Sequence, residues 1–179
     1  ANEPDMELKV FYTWSQSQRG ANYDRDFGKM IEWDIPLLEG YQYEFVENVA
    51  KDPGIHHFNG LVNPGLRKKI SAWKPDCLLI LGWNFNSHLG SMRYFRGKIP
   101  VLFKGDSTLL DEQAGMKRIL RRIFLKWVYR HADYALYAGQ RNYDYFYRHG
   151  MKEKQLYRMP QAVDNNRFHG TDELEAKAK

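Results

Sequence analysis

The sequence predicts an α/β domain, a parallel β-sheet with helices on both faces. Short apolar runs alternate with helical patterns along the chain, the rhythm of strand–helix–strand units. One run, CLLIL at residues 77–81, is apolar at every position, as a strand covered on both sides requires. The intervening segments carry helix start and stop signals.

The expected strands are residues 9–14 (KVFYTW), 43–46, 77–81, 101–103 behind Pro100, 134–137 and 156–159, the last ending at Pro160. The first expected helix, 63–73, opens on Asn63-Pro64, a cap residue followed by a proline whose fixed φ suits the first turn. It stops at Lys74 because Pro75 disfavours helix in the residue before it. Residues 86–95 form the second and end near Gly97. Residues 116–131 form the longest, and 140–148 a fourth that stops at His149-Gly150.

With 179 residues, 43% of them hydrophobic and 15% aromatic, the chain has the size and composition of one folded domain. Its formal net charge of +5 admits nucleic acid, an anionic membrane or a phosphorylated ligand as partner. The single cysteine, Cys77, lies in the apolar run and is expected to be buried. It forms no intrachain disulfide, which fits a reducing, cytoplasmic compartment. No apolar run approaches the ~20 residues that span a bilayer, and the acidic start lacks the apolar core of a signal peptide. Residues 1–6 read as a tag remnant or disordered start, 7–168 as the domain, and 169–179 as a linker or truncated tail.

Ligands of open parallel sheets sit at the carboxyl ends of the strands. The loops at 15–27, 82–86, 104–115 and 139–142 are therefore the places for a site. The first is longer than the usual two to six residues, and Arg19 beside Gly20 allows close backbone approach. It lacks the spacing of a dinucleotide fingerprint. Lys104 and Asp106 flank Gly105 at a strand end. A carboxylate there accepts hydrogen bonds from hydroxyls or acts as a base, and the same residue also serves as a turn cap.

The helix at 116–131 carries Ile119, Leu120, Ile123, Phe124, Trp127 and Val128 at helical spacing. Lys117, Arg118, Arg121, Arg122, Lys126 and Arg130 cover the rest. The expected arrangement is an apolar face in the core and a basic face outside. That face is either simply solvated or meets anionic lipid through Arg118, Arg121, Arg122 and Lys126. The six histidines are scattered. His56 and His57 are adjacent and expected to diverge, so no metal and no cofactor is expected.

Taken in order, WDIPLLEGY at 33–41, PVLFKGDST at 100–108, YALYAGQRNYDYFYRHGM at 134–151 and MPQAVDNNRF at 159–168 resemble the N-terminal half of group 1 glycosyltransferases. The resemblance runs from about residue 7 to 168. It implies a Rossmann-like sheet, the acceptor-side domain of a GT-B enzyme. It further implies retaining transfer from a nucleotide-sugar donor, held by a separate C-terminal domain with a paired-carboxylate motif, to the hydroxyl of a sugar or lipid-linked acceptor. Glu39 and Glu47 have the spacing of that pair but lie in the wrong half. Many relatives place a histidine after the fourth strand. Asp106 stands there, which makes it the candidate catalytic residue. Arg19, Gly20, Trp83, Asn84, Lys104, Gly105 and Gln140 become candidate acceptor-binding residues. A stand-alone flavodoxin-like binding module is the alternative, and a basic nucleic-acid-binding domain a further one, although a lone basic helix without a recognition motif argues against nucleic acid.

Overall fold

The computed structural model describes residues 5–14, 22–24, 29–31, 38–109 and 116–162. Strands alternate with helices as the pattern predicts. The chain runs β1 (Lys9–Tyr12), β2 (Asn22–Asp24), β3 (Lys29–Ile31), β4 (Gln42–Phe45), α1 (Leu66–Trp73), β5 (Leu78–Leu81) and α2 (Asn86–Phe95). It continues through β6 (Val101–Lys104), α3 (Met116–Tyr129), β7 (Tyr134–Tyr137), α4 (Gln140–Arg148) and β8 (Leu156–Arg158).

Four strands form a parallel sheet in the order β5-β6-β7-β8, and β1 pairs in parallel with β4. The segment read as a long first loop, 15–27, contains a strand, β2, which pairs antiparallel with β3 just beyond it. This is a parallel α/β fold of Rossmann-like character. The crossovers β5–α2–β6, β6–α3–β7 and β7–α4–β8 all step the same way across the sheet. Crossovers of one hand that step one way place their helices on one face.

The burial pattern agrees. Register aligns Ile80, Phe103, Ala135 and Leu156 across the four strands, and all are buried. They share one cluster with Leu89, Met92 and Phe95 of α2, Leu125, Val128 and Tyr129 of α3, and Tyr145 and Phe146 of α4. The opposite face differs from the expectation of helices on both sides. Leu79 is 42% and Leu81 61% exposed, and Tyr134 and Tyr157 also face solvent. Cys77, expected in the core, is exposed; it stands just before β5 and shares the alternation of Leu79 and Leu81, on the open face. The all-apolar run therefore marks a strand with one covered face and one open, greasy one.

Helix α1 starts three residues later than expected. The side chain of Asn63 does not cap it but bonds elsewhere, and Gly65 stands at the cap without a side-chain bond. The helix stops where expected, with Lys74 in the left-handed region at φ 55° before Pro75. Gly150, at φ 97°, turns the chain out of α4, a backbone conformation that glycine adopts at little cost.

Candidate functional site

Two polar clusters lie at the carboxyl ends of the strands. The first joins the two sheets. Asn63 is buried, and its amide Nδ2 donates to the carbonyl oxygens of Thr13 (3.0 Å), Val46 (2.9 Å) and Glu47 (3.0 Å). Its backbone N–H donates to Ser87 Oγ at 2.7 Å, and Ser87 Oγ donates to Leu61 O or Asn63 Oδ1. His88, in the first turn of α2, bridges the same region. Its Nδ1 lies 3.0 and 3.1 Å from the carbonyls of Leu81 and Gly82, so Nδ1–H is the donor. Its Nε2 then accepts from the Thr13 hydroxyl at 3.0 Å. Burial disfavours the charged imidazole and lowers the His88 pKa, outweighing the two carbonyl bonds that act the other way.

The second cluster is more open. A cavity of about 850 Å³ is lined by Trp83, Asn84, Lys104, Gly105, Asp106 and Gln161, among others, and it reaches Leu79 and Leu81 of the open sheet face. The loop carrying Asp106 is held from below. Buried Asn142, in the first turn of α4, donates through Nδ2 to Gly105 O (3.0 Å) and Ser107 O (2.9 Å), and its Oδ1 accepts from Ala138 N at 3.1 Å. Gly105 packs closely, since a Cβ there would sit 3.0 Å from the ring of buried Phe103, which would have to give by a few tenths of an ångström. Asp106 itself is exposed, with the Gln161 amide 3.4 Å away. An aromatic ring, two amides, an ammonium and a free carboxylate around one cavity suit a polyhydroxylated ligand, by stacking against its apolar face and bonding its hydroxyls.

Five residues singled out from the sequence therefore converge: Trp83, Asn84, Lys104, Gly105 and Asp106. Gln140 does not join them. Its amide donates to Asp144 Oδ1 at 2.9 Å on the exposed start of α4. Arg19 and Gly20 lie outside the described residues, as do residues 163–168 of the closing phrase. Sequence reasoning missed Asn63, Ser87, His88 and Asn142. Asn63 read as a helix cap, and Ser87, His88 and Asn142 lie in the first turns of α2 and α4; the side chains of all four reach across to other elements.

Helix α3 departs from its expected orientation: of the expected apolar face, Val128 is buried and Trp127 packs against the core, but the rest is exposed. Leu125, Val128 and Tyr129 are buried, and the same face continues toward the N-terminus as Arg118 and Arg122, which are half-buried. Met116 (72%), Ile119, Leu120 and Ile123 (61%) face solvent, and Phe124 is partly exposed with its ring against Trp83. Of the expected membrane-contact cations, Arg121 and Lys126 are exposed, with Lys126 turned toward Gly150. The core takes only the last two turns, so the apolar stripe that periodicity assigned to the interior is largely outside.

A further cavity of about 490 Å³ lies where α3 and α4 end, lined by Arg96, Lys126, Arg130 and Lys152 among others. Cations beside helix C-termini complement the carbonyl end of the helix dipole, which accounts for them without a ligand. The histidines were expected to diverge, yet His56 and His57 both approach Asp52, each with Nε2 3.3 Å from Oδ2. Among the described residues, no helix is long and apolar enough to cross a membrane. Neither a family model nor a curated protein matches the chain.

Proposed function

We propose that this domain is the acceptor-side half of a retaining glycosyltransferase. The observation that carries the reading is the carboxyl-end cavity, where Trp83, Asn84, Lys104 and Asp106 surround about 850 Å³. The ordered sequence phrases resembling group 1 glycosyltransferases supply its direction. In this reading the acceptor sugar stacks on Trp83, its hydroxyls bond Asn84 and Lys104, and Asp106 holds or deprotonates the attacking hydroxyl. The nucleotide sugar binds a second domain, so this domain works chiefly by positioning, which supplies several kcal/mol of barrier reduction in general. Residues 104–107 are fixed from beneath by Asn142, the kind of support that keeps a reacting group in place.

The test is nuclear magnetic resonance of the isolated domain with oligosaccharides and with nucleotide sugars. Oligosaccharides are expected to perturb the Trp83 indole and the 104–107 amides. Micromolar binding of a nucleotide sugar by this domain alone overturns the acceptor-side assignment.

The exposed stripe Met116, Ile119, Leu120 and Ile123 favours a second element of the reading, cytoplasmic and peripheral to an anionic membrane. Apolar residues framed by Lys117, Arg121 and other cations match an interfacial helix better than a basic face alone would. Each cation near such a surface contributes on the order of 1 kcal/mol, screened by salt. Co-sedimentation with anionic vesicles at low salt, lost in Ile123→Glu, is the expected result. Equal, negligible binding to anionic and neutral vesicles ends the idea.

A further inference from the structure

The loop between β4 and α1 carries a second, unrelated constellation. Asp52, His56 and His57 each present one ligand atom, and these atoms all lie within 4.8 Å of one another. Adjacent histidines normally diverge. Here the chain turns tightly between them and Asp52, so both imidazoles reach the same carboxylate oxygen.

The loop is built to hold that arrangement. Gly54 N–H donates to Gly60 O at 3.1 Å. A Cβ on Gly60 would come within 2.0 Å of Gly54 O, so only glycine closes this turn. A Cβ on Gly54 would meet His56 Nδ1 at 2.5 Å, so the ring lies over a position that has to be bare. Asn48 ties the base: Nδ2 donates to Gly60 O at 2.8 Å, and Oδ1 accepts from Val62 N at 2.8 Å. Much of the ordering entropy of a ligand site is thereby met by the fold itself.

The spacing is informative. Charge-assisted N–H···O bonds close to about 2.7–2.9 Å. Asp52 Oδ2 instead stands 3.3 Å from both Nε2 atoms. Ligands about 2.0–2.1 Å from a tetrahedral cation are separated by about 3.3–3.4 Å, the edge of the tetrahedron. All three side chains remain open to solvent, which leaves room for water at further coordination positions.

We propose that Asp52, His56 and His57 form an open binding site for a divalent cation of the zinc class. Two imidazoles and one carboxylate are the donor set that borderline cations take, and hard magnesium or calcium do not. On binding, neutral His57 exchanges tautomer through solvent: the proton leaves Nε2, which faces Asp52 O at 2.9 Å, one is taken up at Nδ1, and the Nε2 lone pair is freed for the cation. The proposal is independent of sugar transfer.

The test is calorimetric titration of the tag-free, chelator-stripped chain with Zn²⁺, with Co²⁺ absorption as the second readout. One Zn²⁺ per chain at micromolar affinity or tighter is expected, with a visible Co²⁺ band of low coordination number. His56→Ala and His57→Ala are each expected to weaken binding by about tenfold or more, as loss of one of three ligands should. His56→Ala decides if His57→Ala perturbs the loop, because His57 also bonds the backbone Asp52 O, whereas the His56 ring nitrogen bonds the Asp52 side chain. Absence of Zn²⁺ binding at micromolar concentration, or undiminished affinity in His56→Ala, overturns the proposal.

Discussion

The two polar clusters at the carboxyl ends of the strands differ in one respect. Around Thr13, Asn63, Ser87 and His88 the polar groups face one another and are mostly shut away from water. Around Asp106, the supporting amide of Asn142 is buried while the carboxylate above it faces solvent. Both clusters use an asparagine to bind loop carbonyls. One uses it to join two sheets and leaves nothing over for a ligand. The other uses it to present a charged group at a cavity. Buried, mutually satisfied polar groups are architecture; an exposed group on a clamped loop is available for chemistry.

The largest expected effect separates the clusters by function. On the proposed function, in a protein that joins this domain to a donor-binding half, Asp106→Asn is expected to lower turnover by ~10²–10⁴-fold, the usual range for acid–base or positioning groups. Its melting temperature is expected to stay close to that of the parent, since the Asp106 side chain is exposed. An unchanged turnover shows that Asp106 only shapes the turn.

The next effect is the mirror image. Asn63→Ala removes the donor shared by three backbone carbonyls and leaves Ser87 Oγ without its Asn63 acceptor. Each buried group left unsatisfied costs about 1–3 kcal/mol, so a loss of about 3 kcal/mol or more is expected in denaturant unfolding. The sugar binding proposed for the Asp106 cavity is expected to survive as long as the domain stays folded. A loss below about 1 kcal/mol means water replaces the amide, and the joint between the sheets is softer than the contacts suggest.

Much of this comparison was legible in the sequence, and the limit has a physical cause. Strands β1 and β4–β8, with α2 and α4, follow from apolar runs and from Pro and Gly stops, because those signals are local; the short pair β2–β3 has no such signal. Trp83, Asn84, Lys104, Gly105 and Asp106 were legible because strand ends define where a parallel sheet binds. Asn63 was not, since an asparagine before a helix reads as a cap whether its amide turns back or reaches 50 residues along the chain to Thr13, and Asn142 was not, since nothing local tells that its amide reaches Gly105 and Ser107. Periodicity also failed on α3 and β5. It counts apolar residues on a face but does not report which face meets the sheet. On α3 the core took Leu125, Val128 and Tyr129 and left Ile119, Leu120 and Ile123 outside. On β5 it took Ile80 and left Leu79 and Leu81.

The smallest expected effect tests the closed cluster through pH. Burial lowers the His88 pKa in the folded chain, whereas the unfolded chain titrates near the ordinary value of ~6.5. Below that value the unfolded state takes up a proton that the folded state resists. Stability therefore rises with pH wherever the unfolded chain binds more protons, and here it falls as pH drops below ~6.5 toward the lower folded value. His131 has the same sign, again from burial first, then from Arg130, Arg93 and Arg96, so the slope is shared. His88→Gln removes the His88 contribution. Urea midpoints measured from pH 7.5 down to 5.5 are expected to decline less steeply in the Gln variant than in the parent. The variant is expected to start from a lower midpoint at pH 7.5, because the contact with Thr13 and the two carbonyl bonds are disturbed. Parallel pH profiles in the two proteins would mean that His88 accepts its proton in the folded state at no cost. The cluster would then be wet and adaptable, like the rim around Asp106, and the contrast between the two would disappear.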